Sequence, residues 1–359
     1  MQSEVSHFKT SKRLKKNQKM AVKGKKGVLL VNLGTPDAPT RGAVYRYLKQ
    51  FLLDPRVIDI NPIARNLLVR GVIAPFRSGK SAKEYRKLWT PEGSPLKIFG
   101  YKVQDGVQAL LGDDFIVRLA MRYQNPSIDV AIDAMIEAKV TEIIVVPLFP
   151  QYSSACVGSV HQEVMRLLSK RQGIPGIKMI HSYFDFEPMI DVFEARANQY
   201  DMESYDHVLF SFHGIPVRQI KKGDDFNHCK LGECCNTITA TNQHCYRANC
   251  FATTRAIAER LKIPKERYDV VFQSRLGRDP WLQPYTSDVI EELAKAGKKR
   301  VLVFCPAFVA DCLETTIEIG EEYQEEFEEF GGEKLQLVEG LNAHPKWIEA
   351  LKELVLQYA

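Results

Sequence analysis

The stretch HCKLGECCNTITATNQHCYRANC, residues 228–250, holds five of the chain's eight cysteines: Cys229, Cys234, Cys235, Cys245 and Cys250. A chain of 359 residues buries enough core to need no disulfide framework. In a reducing compartment such a cluster points to metal ligation or reactive thiols. The spacing C-x4-C-C-x9-C-x4-C is not that of a standard zinc finger, and His228 and His244 stand in the same stretch as alternative ligands. A second chemical residue is His213, placed after the apolar run HVLFSF and before Gly214 and Pro216. An imidazole at a strand mouth can accept a proton near neutral pH or ligate a metal. The third group is acidic: Asp311, Glu314, Glu318, Glu321, Glu322 and Glu325. At about 100° per residue they fall on one stripe of an α-helix. The distal part, EEFEEF, reads as a solvated face. Asp311 and Glu314 follow the apolar PAFVA and are expected to turn into a cleft, where carboxylates pass a hydrated divalent cation or protons inward.

These residues must be carried by something regular, and the sequence supplies it. Apolar runs at residues 27–33 (GVLLVNL), 115–121, 142–147, 207–212, 268–273 and 300–305 alternate with helical patterns, notably at 127–139, 253–261 and 286–296. The alternation predicts an α/β fold of two Rossmann-like lobes, each a parallel sheet flanked by helices. Ligands of such sheets bind outside the carboxyl ends of the strands. NLGTPDAP, RYQNP, PLFPQYSS, SFHGIP, FQSRLGRDPW and CPAFVADCLET all stand where apolar runs stop. No GxGxxG or Walker sequence occurs, so a nucleotide cofactor is not expected.

The net charge of +5 is unevenly placed. Residues 1–26 carry nine Lys/Arg against Glu4, which leaves +8 in the tail and −3 in the remainder. The tail is expected to be disordered, either merely solvating or weakly drawn to anionic headgroups. The acidic body offers no basis for a nucleic-acid partner. No run of about eighteen apolar residues and no apolar signal core are seen, so a cytoplasmic protein is expected.

Taken in order, LVNLGTPDAP, YRKLWTPEGSPL, MRYQNP, PLFPQYSS, SFHGIP, FQSRLGRDPWLQPYT and CPAFVADCLETTIEIGEEY resemble the ferrochelatase family in its Gram-negative bacterial form. The resemblance runs from Gly27 to the end of the chain. It implies the chelatase fold: a first lobe over residues 27–185 with an active-site lip at about 51–81, and a second over 186–359 with the cysteine-rich insertion at about 227–250. The last helix would pack back on the first lobe, and the active site would lie in the cleft between the lobes. The implied enzyme is a lyase forming nitrogen–metal bonds. It inserts ferrous iron into protoporphyrin IX, releasing two protons and forming protohaem, the final step of haem biosynthesis. By resemblance, His213 is the proton acceptor or metal ligand, Glu314 the carboxylate on the opposite side of the macrocycle, and Asp311 its catalytic neighbour. His213 and Glu314 would meet the substrate iron, and Leu33, Arg122, Tyr123 and Trp281 would line the porphyrin. Cys312 departs from animal relatives, which have a histidine there.

Some bacterial relatives hold a two-iron, two-sulfur cluster through closely spaced internal cysteines. The insertion is accordingly read as a structural or regulatory cluster site using four of Cys229, Cys234, Cys235, Cys245 and Cys250, with zinc and free thiols as alternatives. The lip, with Arg56, Arg65, Arg70 and Arg77 among apolar residues, implies peripheral contact with the inner membrane. Rival functions are a chelatase for coproporphyrin, another tetrapyrrole or another metal such as cobalt, and a haem- or tetrapyrrole-binding iron–sulfur sensor without catalysis. A monomer and a homodimer both fit.

Overall fold

The computed structural model describes residues 24–275, 277 and 279–359. The basic tail expected over residues 1–26 lies, as far as residue 23, outside the described residues. Strand β1, Lys26–Gly34, is buried along nearly its whole length. Its unbroken apolar run reflects a parallel strand covered on both faces. It pairs in parallel with β2 (Phe115–Tyr123) on one side and β3 (Glu142–Pro147) on the other, and β4 (Gly176–Met179) closes the edge beyond β3. The second sheet repeats the plan with β5 (His207–His213) between β6 (Tyr268–Gln273) and β7 (Arg300–Phe304), and β8 (Lys334–Leu337) at the edge. The orders are β2-β1-β3-β4 and β6-β5-β7-β8. In each sheet the first strand therefore stands where the winding reverses, and a crevice opens beyond its carboxyl end. The expected fold is the observed one. The apolar runs fall on six of the eight strands. Strands β4 and β8, four residues each and partly exposed at sheet edges, carry too few apolar residues to be read.

One face of the first sheet, with Leu29, Val31, Ile143 and Val145, packs on the helices Ile128–Glu137 and Ser159–Leu168. Its other face, with Val28, Leu30, Ile144 and Val146, joins a core that continues through Phe210 and Phe212 of the second lobe. The final helix, Pro345–Gln357, packs on both Pro95–Leu111 and Glu187–Ala197. Its Trp347 is 1% exposed and stacks near Tyr183, ring centroids 6.4 Å apart. Each such fully buried large side chain contributes roughly 1.5–3 kcal/mol, which ties the two lobes into one hydrophobic unit.

Two local features prepare the site. Gly34 ends β1 at φ +116°, and a Cβ there would stand 2.0 Å from the carbonyl oxygen of Tyr123. The NLGTP turn thus needs glycine so that the mouths of β1 and β2 can close on each other. The second feature corrects an expectation. The acidic segment is not an α-helix beginning near Asp311 but a π-helix, Leu313–Tyr323, with Asp311 and Cys312 preceding it. The first turn is held from outside, where Gln273 Nε2 donates to the Glu314 carbonyl at 2.8 Å, and is capped locally by the Cys312 amide donating to Thr315 Oγ1 at 3.0 Å. π-Helical turns are frequent at functional sites.

Candidate active site

His213 is the last residue of β5 and is partly exposed at the cleft. Its ring Nδ1 lies 2.6 Å from the Gly214 carbonyl oxygen. A carbonyl can only accept, so Nδ1 carries a proton, and in the neutral ring Nε2 presents its lone pair. Gly214 N donates to the Gln273 carbonyl at 2.8 Å. A Cβ on Gly214 would lie 2.9 Å from that oxygen and 3.2 Å from the Trp281 ring, so the SFHGIP turn admits no larger residue without displacing β6 or Trp281. Trp281 stands beside the imidazole, ring centroids 6.4 Å apart.

The π-helix carries two carboxylates, Glu314 and Glu318, of which Glu318 lies near enough to His213 to interact with it electrostatically. Glu318 is nearly buried and accepts from Ser274 Oγ at 2.8 and 2.6 Å and from Gln273 Nε2 at 3.2 Å. Ser274 adopts φ +65°, a left-handed conformation unusual for serine, to make this contact. Behind it, Ser211 Oγ donates to Gln273 Oε1 at 2.8 Å and lies 3.2 Å from Thr286 Oγ1. Burial raises the Glu318 carboxyl above its ordinary range, the Ser274 bond and His213 oppose this, and Glu314 adds to it. Burial and the neighbouring Glu314 carboxylate raise the Cys312 thiol. Asp311 does not join them. Burial raises it too, and its carboxylate is engaged by Asn342 Nδ2 at 2.6 Å, by the Gly340 amide at 3.2 Å and by Thr315 Oγ1 at 3.2 Å. The expectation that Asp311 turns into the cleft is therefore corrected: it precedes the helix instead of lying on its first turn, and it anchors the loop at 340–342.

A raised carboxyl gives a signed prediction. Unfolding lets Glu318 ionise at its ordinary pKa, so its contribution to stability is full below that value and is lost as pH rises through the folded value. Glu318→Gln should melt higher than the parent at pH 7, with the gain shrinking as both are taken to about pH 4. A melting temperature lowered equally at both pH values would contradict the burial argument.

The first lobe supplies the opposing wall. Arg122 on β2 donates through NH2 to Asp54 Oδ2 at 2.7 Å and through Nε to Ser159 Oγ at 2.7 Å. The same Asp54 oxygen accepts from Ser159 Oγ at 2.6 Å and from the Tyr123 hydroxyl at 2.9 Å. Tyr123 has no exposed surface, so the expectation that its ring lines the macrocycle is corrected: it braces the wall from behind, with Arg122 stacked over it at 4.7 Å. Leu33 is half-buried and packs in one apolar cluster with Tyr47, Tyr85, Leu313 and Ile317. That cluster joins the lip helix Ala74–Leu88 to the π-helix, and Lys87 adds an ion pair to Glu321 at 3.0 Å. Within the lip, Pro62–Leu67 is capped by Asn61 and runs through a π-helical turn, Leu68–Ile73, into Ala74–Leu88. Ile63, Leu67 and Phe76 are 73%, 69% and 79% exposed. Of the four lip arginines, Arg70 and Arg77 are exposed. Arg65 is buried and donates to the carbonyls of Ile58 and Ile60, and Arg56 binds Ser154 and Gln162.

The insertion forms one side of a recess of about 540 Å³. Cys229, Cys234, Cys235 and Cys245 line it, whereas Cys250 is wholly buried on the helix Tyr246–Arg260. The neighbouring Cys235 thiol lowers that of Cys245, whereas Cys245 and burial raise that of Cys235. Among the described residues no three His, Cys, Asp or Glu side chains are gathered closely enough to hold a metal ion. The thiols thus surround one recess without converging on a point. His228 and His244 line the same recess, and His244 packs edge-on at 4.0 Å against His181, which stacks on Tyr152 at 4.1 Å. Burial, His244 and His161 push His181 down to about 4, so it is neutral at physiological pH.

The paired sheets, with a histidine and carboxylates at their mouths, define a protein of the chelatase class. Solved structures of SirB from Bacillus subtilis share the fold. The sirohydrochlorin chelatase SirB from subspecies spizizenii in complex with cobalt matches with a TM-score of 0.53 and 13% identity, over 93% of this chain and 95% of that one. SirB with Fe3+ matches at 0.50, also with 13% identity, over 93% and 96%. Sequence is more specific. Residues 25–359 match the Ferrochelatase family. A ferrochelatase of Coxiella burnetii is 43% identical over 348 residues, 95% of this chain and 96% of the relative, and one of Legionella pneumophila is 41% identical over 331 residues, 92% and 98%. The chain belongs to the ferrochelatase family. Among the described residues no helix is long and apolar enough to cross a membrane.

Proposed function

We propose that this chain is an enzyme that inserts ferrous iron into protoporphyrin IX, between lobes spanning residues 27–185 and 186–359. The observation that carries the reading is the placing of His213, its Nε2 free to accept in the neutral ring, within electrostatic reach of Glu318 on the carboxylate-bearing π-helix. Metal insertion requires two pyrrole protons to leave as the cation arrives. His213 takes up the first at Nε2, and Glu314 and Glu318 receive charge on the opposing side. A carboxyl raised by burial is a stronger base than an exposed one, which suits Glu318 to pass a proton outward. A site of one imidazole and two carboxylates also releases iron, where a closed four-ligand cage would retain it. Leu33 and Trp281 supply the apolar walls and Arg122 the polar edge, with Tyr123 behind it. Asp311 acts only by fixing the start of the π-helix.

Two finer readings belong to the proposal. Cys229, Cys234, Cys235 and Cys245 line one recess and would hold a two-iron, two-sulfur cluster only if their thiols were drawn together, and Cys250 is left out because it is sealed in the core. Such a cluster would supply a cross-link within the insertion, separate from the substrate iron. The exposed apolar row on the lip, flanked by Arg70 and Arg77, would rest on the anionic cytoplasmic face of a membrane. Flotation with anionic vesicles should carry the protein upward.

The deciding experiment is an anaerobic insertion assay with ferrous iron and protoporphyrin IX on the protein as isolated, read beside its visible spectrum. Metalloporphyrin formation and a brown, cysteine-dependent absorption are the expected results. Turnover with coproporphyrin alone would replace the substrate, and no turnover with either would overturn the reading.

A further inference from the structure

The residue after Cys245 is Tyr246, buried at the first turn of the helix Tyr246–Arg260, and its hydroxyl donates to the carbonyl oxygen of His213 at 2.9 Å. The peptide unit between His213 and Gly214 is thereby gripped at both ends. Tyr246 holds its C=O, and the Gln273 carbonyl holds its N–H at 2.8 Å. The orientation of the next unit decides where the Gly214 carbonyl points, and that oxygen fixes the proton on His213 Nδ1. The same helix turn reaches further. Asn249 accepts from the Tyr152 amide at 3.2 Å and donates to the Gln243 carbonyl at 3.0 Å, and Asn242 Nδ2 donates to the carbonyls of Cys234 and Thr237 at 2.7 and 2.8 Å. The insertion, the first-lobe loop at Tyr152 and the histidine turn meet on one helical turn.

We propose that Tyr246 is a positioning residue which transmits the state of the cysteine-rich insertion to His213, by clamping the His213–Gly214 peptide and with it the tautomer of the imidazole. The inference rests on the assignment of His213 made above. Cys245 is covalently next to the clamp, so any bond that draws its sulfur toward Cys235 or Cys229 moves the start of the helix and the hydroxyl with it. Insertion rate then depends on an element that touches neither iron nor porphyrin.

Tyr246→Phe keeps the ring in the core and removes only the donor. A buried hydrogen bond lost in this way is worth about tenfold in rate. The expected result is kcat down about tenfold with KM for porphyrin nearly unchanged, in a protein that still unfolds cooperatively. In ¹⁵N-histidine spectra, the His213 signal, assigned by its loss in His213→Ala, should shift from one tautomer to a mixture. Cys245→Ser should slow the parent but cost nothing further in the Tyr246→Phe background. An unchanged rate and unchanged His213 signal in Tyr246→Phe would overturn the clamp, and additive losses, or no loss from Cys245→Ser, would overturn its link to the insertion. A His213→Ala protein that inserts iron at the parent rate would instead sink the assignment of His213 itself.

Discussion

His213→Ala is expected to lower iron insertion by roughly 10²- to 10⁴-fold, the usual contribution of a positioned acid–base group. Porphyrin binding, followed by quenching of its fluorescence, should be nearly retained, since the walls at Leu33, Trp281 and Arg122 do not depend on the imidazole. The size of the effect follows from geometry. The ring is held by one short bond to Gly214, which orients Nε2 without occupying it. The two losses must therefore separate: kcat falls and affinity does not. If binding fell in parallel with turnover, His213 would be a wall residue and the chemistry would have to be sought on the π-helix.

Asp54→Ala should produce the largest loss of stability, about 3–5 kcal/mol, because it leaves a partly buried guanidinium without its counter-charge. One carboxylate oxygen serves Arg122, Tyr123 and Ser159 at once, and the other accepts from the Arg56 amide at 2.8 Å. The side chain of Asp54 is 3% exposed, so water cannot readily take its place. Urea denaturation of the variant against the parent measures the loss. Asp54→Asn keeps an acceptor but not the charge and should fall between them. A loss below about 1 kcal/mol would place the Arg122–Asp54 pair with ordinary surface ion pairs.

Much of this was legible in the sequence. Runs such as GVLLVNL and HVLFSF are long, apolar and bounded by turn residues, so their strands and the mouths beyond them followed from pattern alone. His213 was found because it breaks such a run. Glu314 stands out by its place just after the apolar PAFVA, with its role implied by resemblance, whereas Glu318 reads only as one of six acidic positions, since nothing local distinguishes it. What selects Glu318 is Ser274, a residue 44 positions away that reaches it from a left-handed turn. The π-helix was missed for the same reason: its first turn is held by Gln273 from another strand, and periodicity computed for an α-helix assigns Asp311 to the wrong face. Asp54 was hidden in LLDP, where an aspartate before proline reads as a turn. Tyr246 stood unremarked between two cysteines. In each case the missing information is a contact between segments far apart in the chain.

The apolar cluster that joins the lip to the π-helix bears on how the doorway can move. Tyr85 and Leu88 of the doorway and Leu313 and Ile317 of the carboxylate-bearing helix belong to a single packed body. Packed bodies of this kind shift between discrete arrangements and do not stretch. The same helix is tied to the end of β6 through Gln273 and Ser274, next to the His213 turn. Any shift of the doorway is therefore borne by the joint between the lip and the carboxylates.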